Sequence, residues 1–336
     1  MDTTTRRPLT LAALAISALV MAGCSSSEAP AADTGTDASD ATVELPRVGT
    51  INGYPQIPVA TSEGYLDEEF NQDGASIEVS PVVSANDGIS ALRTGSVDMV
   101  VTGYDPAGLV GIDDILMVSV VEASPETTRI LVADDSDIET MADLEGKIIG
   151  SYNSTPNAIL VGALTEAGLT TDDIEYIPVE NDVAASTLAS GAIDGWMTFD
   201  PAAATAELAG IARAVSTGDD FGHLNPIVLY TTKAYAESNR DSVVALVRAF
   251  DSATDWIVEN KDDGPVAEIM ADATGMTVEV AQRSLDHRNY EISPVEGETL
   301  DWMLDFGDRA VAVGTITDSP DLEALLDPTL YEEALG

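Results

Sequence analysis

Residues 90–106 read SALRTGSVDMVVTGYDP, and residues 186–201 read STLASGAIDGWMTFDP. Both run S-x-L-x-x-G-x-[VI]-D, then a short apolar run, an aromatic residue and Asp-Pro. The pattern predicts the same local path twice. A short helix carrying Ser and Leu stops near Gly95 or Gly191, where glycine accepts the left-handed conformation that ends helices. A strand then starts at Asp98 or Asp194 and runs to Tyr104-Asp105-Pro106 or Phe199-Asp200-Pro201. Asp-Pro suits the start of a following helix, because the carboxylate takes up free N–H groups where proline has none to offer. A chain that repeats this piece folds most simply as two similar α/β lobes.

The rest of the sequence supports that arrangement. From Val43 onward, short β-branched runs alternate with Ala-rich helical segments, the signature of α/β units with mainly parallel sheets flanked by helices. Nine strand candidates follow in order: VELPRVGTI, SIEVSPVV, VDMVVTG, ILMVSVVE, RILVAD, KIIGSY, IEYIPVE, IDGWMTF and PIVLYTT. After Tyr235 the pattern turns mostly helical, with DSVVALVRAFDSATDWIVEN and VEVAQRSLDHRNY amphipathic at helical spacing. RILVAD and PIVLYTT bracket the second copy and are expected as the strands on which the chain crosses between lobes. Lobe 1 would hold residues 43–126 and 233–336, and lobe 2 residues 127–232 including the crossing strands. Two crossings side by side make a two-strand hinge.

Composition narrows the chemistry. There are 14 Lys and Arg against 59 Asp and Glu, a formal charge of −45, which excludes nucleic acid as a partner. The chain has one cysteine, Cys24, and two histidines, His223 and His287, neither in a predicted cleft loop. A Cys/His zinc cluster and a Cys–His nucleophile pair are therefore not expected, nor is a calcium loop, whose Asp-x-Asp-x-Asp-Gly spacing is missing. Arg6 and Arg7 precede the apolar run LTLAALAISALVMAGC. That is the anatomy of a signal peptide over residues 1–23. The ending Met21-Ala22-Gly23-Cys24 resembles a bacterial lipoprotein signal, which implies lipidation of Cys24. Residues 24–42 follow as a flexible tether, rich in Ser, Ala, Asp and Thr, with a reach of about 20–25 Å.

Four further stretches carry a family resemblance. GTINGYPQIPVATSEGYLDEE resembles the opening of the substrate-binding proteins of ABC importers for sulfonates, taurine and nitrate. DSDIETMADLEGKIIGSYNST resembles their entry into lobe 2, LASGAIDGWMTFDP their "L..G.(V/I)DAW…(W/F)DP" segment, and RNYEISPV a late "R..Y.(I/V).P(I/V)". The resemblance implies a two-lobed type II periplasmic-binding fold that closes around a small solute and delivers it to a permease. It implies a monomer without cofactor or metal, held at the outer face of the cell membrane by the lipid anchor. Taurine or an alkanesulfonate is the expected solute. Nitrate, bicarbonate, a thiamine pyrimidine precursor and a tethered sensor role stand as alternatives. Catalysis is not expected.

Ligands of open α/β sheets sit beyond the carboxyl ends of strands, near helix N-termini. That rule nominates Asn52, Tyr54 and Gln56 after the first strand, Tyr104 and Asp105 after lobe 1's repeated strand, and Asn153, Ser154 and Thr155 in lobe 2. Trp196, Phe199 and Asp200 complete the set. Ser154 or Thr155 is placed to cap the helix after Pro156 and grip an oxygen-rich anion. Tyr54, Tyr104, Trp196 and Phe199 would supply aromatic walls, with core packing the other reading, more so for Phe199 than for Tyr104. Asp105 and Asp200 read first as caps; a carboxylate facing the cleft would favour a ligand bearing an amine. Arg129 is either an anion clamp or a surface charge beside Glu126, and Arg288 is read as structural. So acidic a chain repels free anions, which favours zwitterionic solutes such as taurine over nitrate.

Overall fold

The computed structural model describes residues 42–336 except Asn52, Ser154 and Thr155. Cys24, the signal segment and the tether lie outside the described residues. Eleven strands form two sheets among the described residues. The strands are β1 Arg47–Thr50, β2 Glu78–Pro81, β3 Met99–Gly103, β4 Ile115–Ala123, β5 Thr128–Ala133, β6 Ile148–Ser151, β7 Glu175–Pro178, β8 Gly195–Phe199, β9 Ala212–Thr217, β10 Pro226–Thr232 and β11 Tyr290–Ser293. The first sheet runs β11-β4-β10-β3-β1-β2, and the second β7-β6-β8-β5-β9.

Helices cover both faces. They are α1 Gln56–Ser62, α2 Tyr65–Glu69, α3 Ala85–Arg93, α4 Ala158–Glu166, α5 Asn181–Ala189, α6 Ala202–Leu208, α7 Lys233–Ser238, α8 Arg240–Asn260, α9 Pro265–Thr274, α10 Val278–Asp286, α11 Gly297–Ala312 and α12 Pro328–Leu335. The longest, α8, buries Val243, Val247, Phe250, Thr254 and Ile257 on one face, the stripe its sequence prescribes. Two apolar clusters sandwich each sheet.

The repeat folds as the repeated sequence predicts. α3 leads to Gly95 (φ 70°) and β3, while α5 leads to Gly191 (φ 73°) and β8. The repeated aspartates do the same work. Asp98 Oδ2 accepts the Arg47 backbone N–H at 2.8 Å, and Asp194 Oδ2 accepts that of Ile148 at 2.8 Å. Each aspartate thus satisfies the first amide of the neighbouring parallel strand and fixes its register. The pairings match one for one: β1 with β2 and β3 is parallel, as is β6 with β7 and β8.

All nine strand candidates are strands. The sheets are mixed rather than mainly parallel, because β10, β4 and β11 in the first sheet, and β5 and β9 in the second, pair antiparallel. RILVAD and PIVLYTT, expected as the strands on which the chain crosses, each lie within a sheet. They are β5, between β8 and β9, and β10, between β3 and β4, so PIVLYTT belongs to the first sheet. An apolar strand of this kind is stable only where both faces are covered. The actual crossings are the segments 124–127 and 218–225. They touch: Asn225 Nδ2 donates to Thr127 Oγ1 at 2.8 Å, and a Cβ on Gly218 would overlap the Pro125 carbonyl oxygen. β9 and β11 escape a reading for apolar runs, since ARAVST and YEIS break their apolar residues with Arg, Glu, Ser and Thr.

The exposed edges are blunted. β2 (EVSP) and β7 (EYIP) each begin with Glu and end with Pro, which discourages pairing with another chain.

Candidate functional site

The four loops nominated by the sequence meet at one seam between the halves. A Cβ on Gly53, after β1, would lie 3.4 Å from Pro201 Cδ, after β8, and 3.7 Å from Arg288 Nη2. The Tyr152 ring, after β6, lies 6.4 Å from that of Phe199. Asp105, after β3, lies on the side of the seam that faces the Tyr152 ring and caps its own turn through the Ala107 N–H at 3.0 Å. The mouths of the repeated strands therefore face one another, the geometry that parallel strand ends and helix N-termini create for ligands.

Several polar groups here lack partners. Gln56 opens α1, is 1% exposed, and neither amide atom has a hydrogen-bond partner. Ser151 Oγ, at the end of β6, is equally buried and unpaired. Such groups cost about 1–3 kcal/mol each when left unmet.

The charged groups are already matched. Arg288 pairs with Glu122, both buried, and its guanidinium lies 5.1 Å from the centre of the Tyr54 ring. Burial, ahead of the neighbouring charges, drives the Tyr54 hydroxyl well above its ordinary range. Arg129 Nη1 meets Glu207 Oε1 at 3.1 Å, and Arg283 Nη2 meets Glu207 Oε2 at 3.2 Å. His287 Nδ1 lies 2.6 Å from Asp200 Oδ2. Burial lifts the Asp105 carboxyl, against the Ala107 N–H and Asn86 bonds that lower it. Arg129, Arg283 and Arg288 all face carboxylates.

The nominated residues divide. Tyr54, Gln56, Asp105, Asn153, Phe199 and Asp200 stand at the mouth. Tyr104 does not: it is buried, donates its hydroxyl to Met303 O at 3.1 Å, and packs on Trp302 and Phe306. Trp196 is 1% exposed in a core cluster with Leu131 and Ala203. Phe199, ranked above Tyr104 as a core residue by sequence, is the half-exposed one. Arg129 is neither a free clamp nor a surface charge, but a buried partner of Glu207. Asn52, Ser154 and Thr155 fall outside the described residues. The α4 cap is Asn157, whose Oδ1 accepts the Leu160 N–H at 3.0 Å while its Nδ2 donates to Asn153 Oδ1.

The aspartates are caps, in two forms. Asp105 caps a single helical turn through Ala107 N–H, with Pro106 in first position as expected. Asp200 accepts from Ala204 N–H at 3.0 Å, but Pro201 itself holds the cap position of α6. Sequence reasoning missed Glu122, placed His287 outside the cleft, and read Arg288 as structural, which its buried pair with Glu122 agrees with. The signal for Glu122 was a lone charge in the apolar run ILMVSVVEA. Arg288 and His287 reach the mouth from the chain's far end, so spacing could not place them.

A groove of about 500 Å³ beside the mouth shares Gly53 and Tyr54 with it but is lined only by the first sheet's half, including Ile57, Ile77 and Ile269. Among the described residues no cluster of three His, Cys, Asp or Glu side chains could hold a metal ion.

A family model described as NMT1/THI5 like matches residues 54–263, more than half of the chain. An aliphatic sulfonates-binding protein of Escherichia coli (strain K12) is 28% identical over 276 residues, covering 79% of this chain and 85% of that one. The crystal structure of the periplasmic aliphatic sulphonate binding protein SsuA from Escherichia coli matches with a TM-score of 0.74 at 25% identity, over 83% of this chain and 90% of that chain. The desulfurization enzyme DszB matches with a TM-score of 0.64 at 17% identity, over 86% and 99%.

Proposed function

This chain belongs to the NMT1/THI5 like family, and from that premise we propose that it is the extracytoplasmic solute-binding component of an ABC importer, capturing a small sulfonate. Its fold is that of the periplasmic binding proteins. The observation that carries the reading is the seam itself. Four strand-end loops converge on buried, unpaired neutral donors, and the nearby arginines are spent on carboxylates. A sulfonate is a permanent anion with three acceptor oxygens, and Gln56 Nε2, Ser151 Oγ and the first turns of α1 and α4 offer N–H and O–H donors to it.

Capture proceeds by closure of two lobes, one on each sheet, about the crossings 124–127 and 218–225. Tyr54 and Phe199 supply apolar walls, and Asp105 receives an amine where the solute carries one. Lipidated Cys24 holds the monomer at the outer face of the membrane for delivery to its permease. Transport rather than catalysis is the role, although DszB has the same fold. Both histidines are engaged in packing or pairing, and the one cysteine serves the anchor.

Isothermal calorimetry with taurine, ethanesulfonate, butanesulfonate, nitrate and bicarbonate tests the reading. Saturable heat is expected with a sulfonate. Gln56→Leu should weaken it about tenfold or more, equivalent to 1.4 kcal/mol, with little loss of melting temperature, because a buried amide without partners contributes no folding bond. Heat with nitrate or bicarbonate alone would reassign the solute, and turnover of any sulfonate would reassign the protein to catalysis.

A further inference from the structure

α6 belongs to the second sheet's half, burying Ala203 and Ala206 beside Trp196. α10 belongs to the first, burying Ala281 and Leu285 among its core residues. The two helices meet across the seam through two charged contacts that share one spacing. Arg283 lies on α10 and His287, four positions on, is the residue that caps its C-terminus, so the two fall near one face. His287 reaches Asp200 at 2.6 Å, with both side chains almost wholly buried. One turn away, Arg283 reaches Glu207 at 3.2 Å from a half-exposed position. Glu207 is held from behind by Arg129 of β5, so it meets Arg283 already oriented.

The surrounding charge gives these contacts a task. Residues 124–225 carry 18 acidic and 3 basic side chains, and residues 42–123 with 226–336 carry 36 and 9. Two strongly acidic bodies pressed together repel each other, and only local opposite charge or screening offsets this. Arg283 is a cation of the first body set against a carboxylate of the second.

We propose that the α6–α10 contact is a two-tier latch, with His287–Asp200 as its buried tier and Arg283–Glu207 as its rim, and that Arg283 is a positioning residue that keeps the seam closed. The retention part rests on the solute-binding reading; the closure part does not. Opening of the halves separates both tiers together, because α6 and α10 move with different sheets. The acidic repulsion makes the latch matter most at low ionic strength.

The test uses the full chain as wild type, Arg283→Gln and Arg283→Lys, without ligand, by small-angle scattering extrapolated to zero concentration in 20 mM and 1 M KCl. Arg283→Gln should show a larger radius of gyration at 20 mM that returns to the wild-type value at 1 M, with Arg283→Lys close to wild type. Hydrogen exchange should rise on the facing sides of α6 and α10 and not in α8, which excludes general loosening. A second arm follows release of ethanesulfonate, expected roughly three- to ten-fold faster from Arg283→Gln with association unchanged. Identical scattering and exchange in all three proteins would overturn the latch. A scattering effect without ethanesulfonate binding to any of them would instead overturn the solute reading and leave the latch standing.

Discussion

The two copies of the repeated unit share a frame and differ at its tip. In both, a glycine ends the helix and an aspartate takes the first amide of the parallel neighbour at 2.8 Å. Beyond the strand the copies part. Copy one turns Tyr104 into the core against Met303, Trp302 and Phe306, and uses Asp105 for a local cap. Copy two leaves Phe199 half-exposed beside Tyr152 and hands Asp200 to His287 in the other half. Duplicated backbone chemistry is constrained by register, which a strand cannot change without turning its side chains over. Tip residues carry no such constraint, so Tyr104 serves the core while Phe199 and Asp200 stand at the seam.

The largest effect should come from the tips. Tyr104→Ala is expected to cost about 3–5 kcal/mol in urea unfolding, the usual toll of emptying a buried aromatic site. Phe199→Ala should cost less than about 1.5 kcal/mol and weaken solute binding instead. Equal losses of stability would erase the distinction between the copies.

Acid should expose the same asymmetry. His223 is buried, stacks on Phe221, and contacts the Trp302–Phe306 pair that also holds Tyr104; neither ring nitrogen has a hydrogen-bond partner. Burial, then the Arg309 charge, lowers its pKa to about 3. The unfolded chain therefore binds a proton that the folded chain refuses, and stability falls as pH drops below about 6.5 toward 3. Each unit of separation is worth about 1.4 kcal/mol, a few kcal/mol in all. His223→Leu should flatten that part of the profile in pH-dependent urea titrations. An unchanged slope would place the acid sensitivity elsewhere.

The smallest effect tests what the copies share. Asp98→Ala and Asp194→Ala each strand one backbone amide and should each cost about 1–2 kcal/mol. Asp98 also holds Arg47 through two side-chain bonds of 3.0 and 2.7 Å, a half-exposed pair that adds little. A loss at Asp98 several kcal/mol larger than at Asp194 would mean that the frame is not equivalent in the two copies.

Backbone devices were the legible part of the sequence. Nine apolar runs became strands, the central ones buried on both faces and β2 and β7 as exposed edges, and the repeat named its own glycines and aspartates. β9 stayed hidden, since Arg213 interrupts it and earns its place only through bonds to Ser136 O and Ile138 O, 75 or more residues earlier. The seam was half legible. Tyr54, Gln56, Asp105 and Phe199 follow from the strand-end rule, whereas Tyr104 and Trp196 depend on which way a side chain turns. Trp196 points to the face of β8 covered by its own sheet's helices, a choice set by packing partners scattered along the chain.

The nesting of the sheets bears on how the molecule is made. Every strand of the five-stranded sheet comes from one uninterrupted stretch, β5 to β9, which ends at Thr217. The six-stranded sheet still lacks its third member, β10, and its far margin, β11, when that residue is joined. On a chain growing from its N-terminus, the inserted body can therefore mature while the body enclosing it waits with Val101 and Leu116 unpaired on their β10 side. Whatever holds this polypeptide before folding is complete must shield β3 and β4 longest.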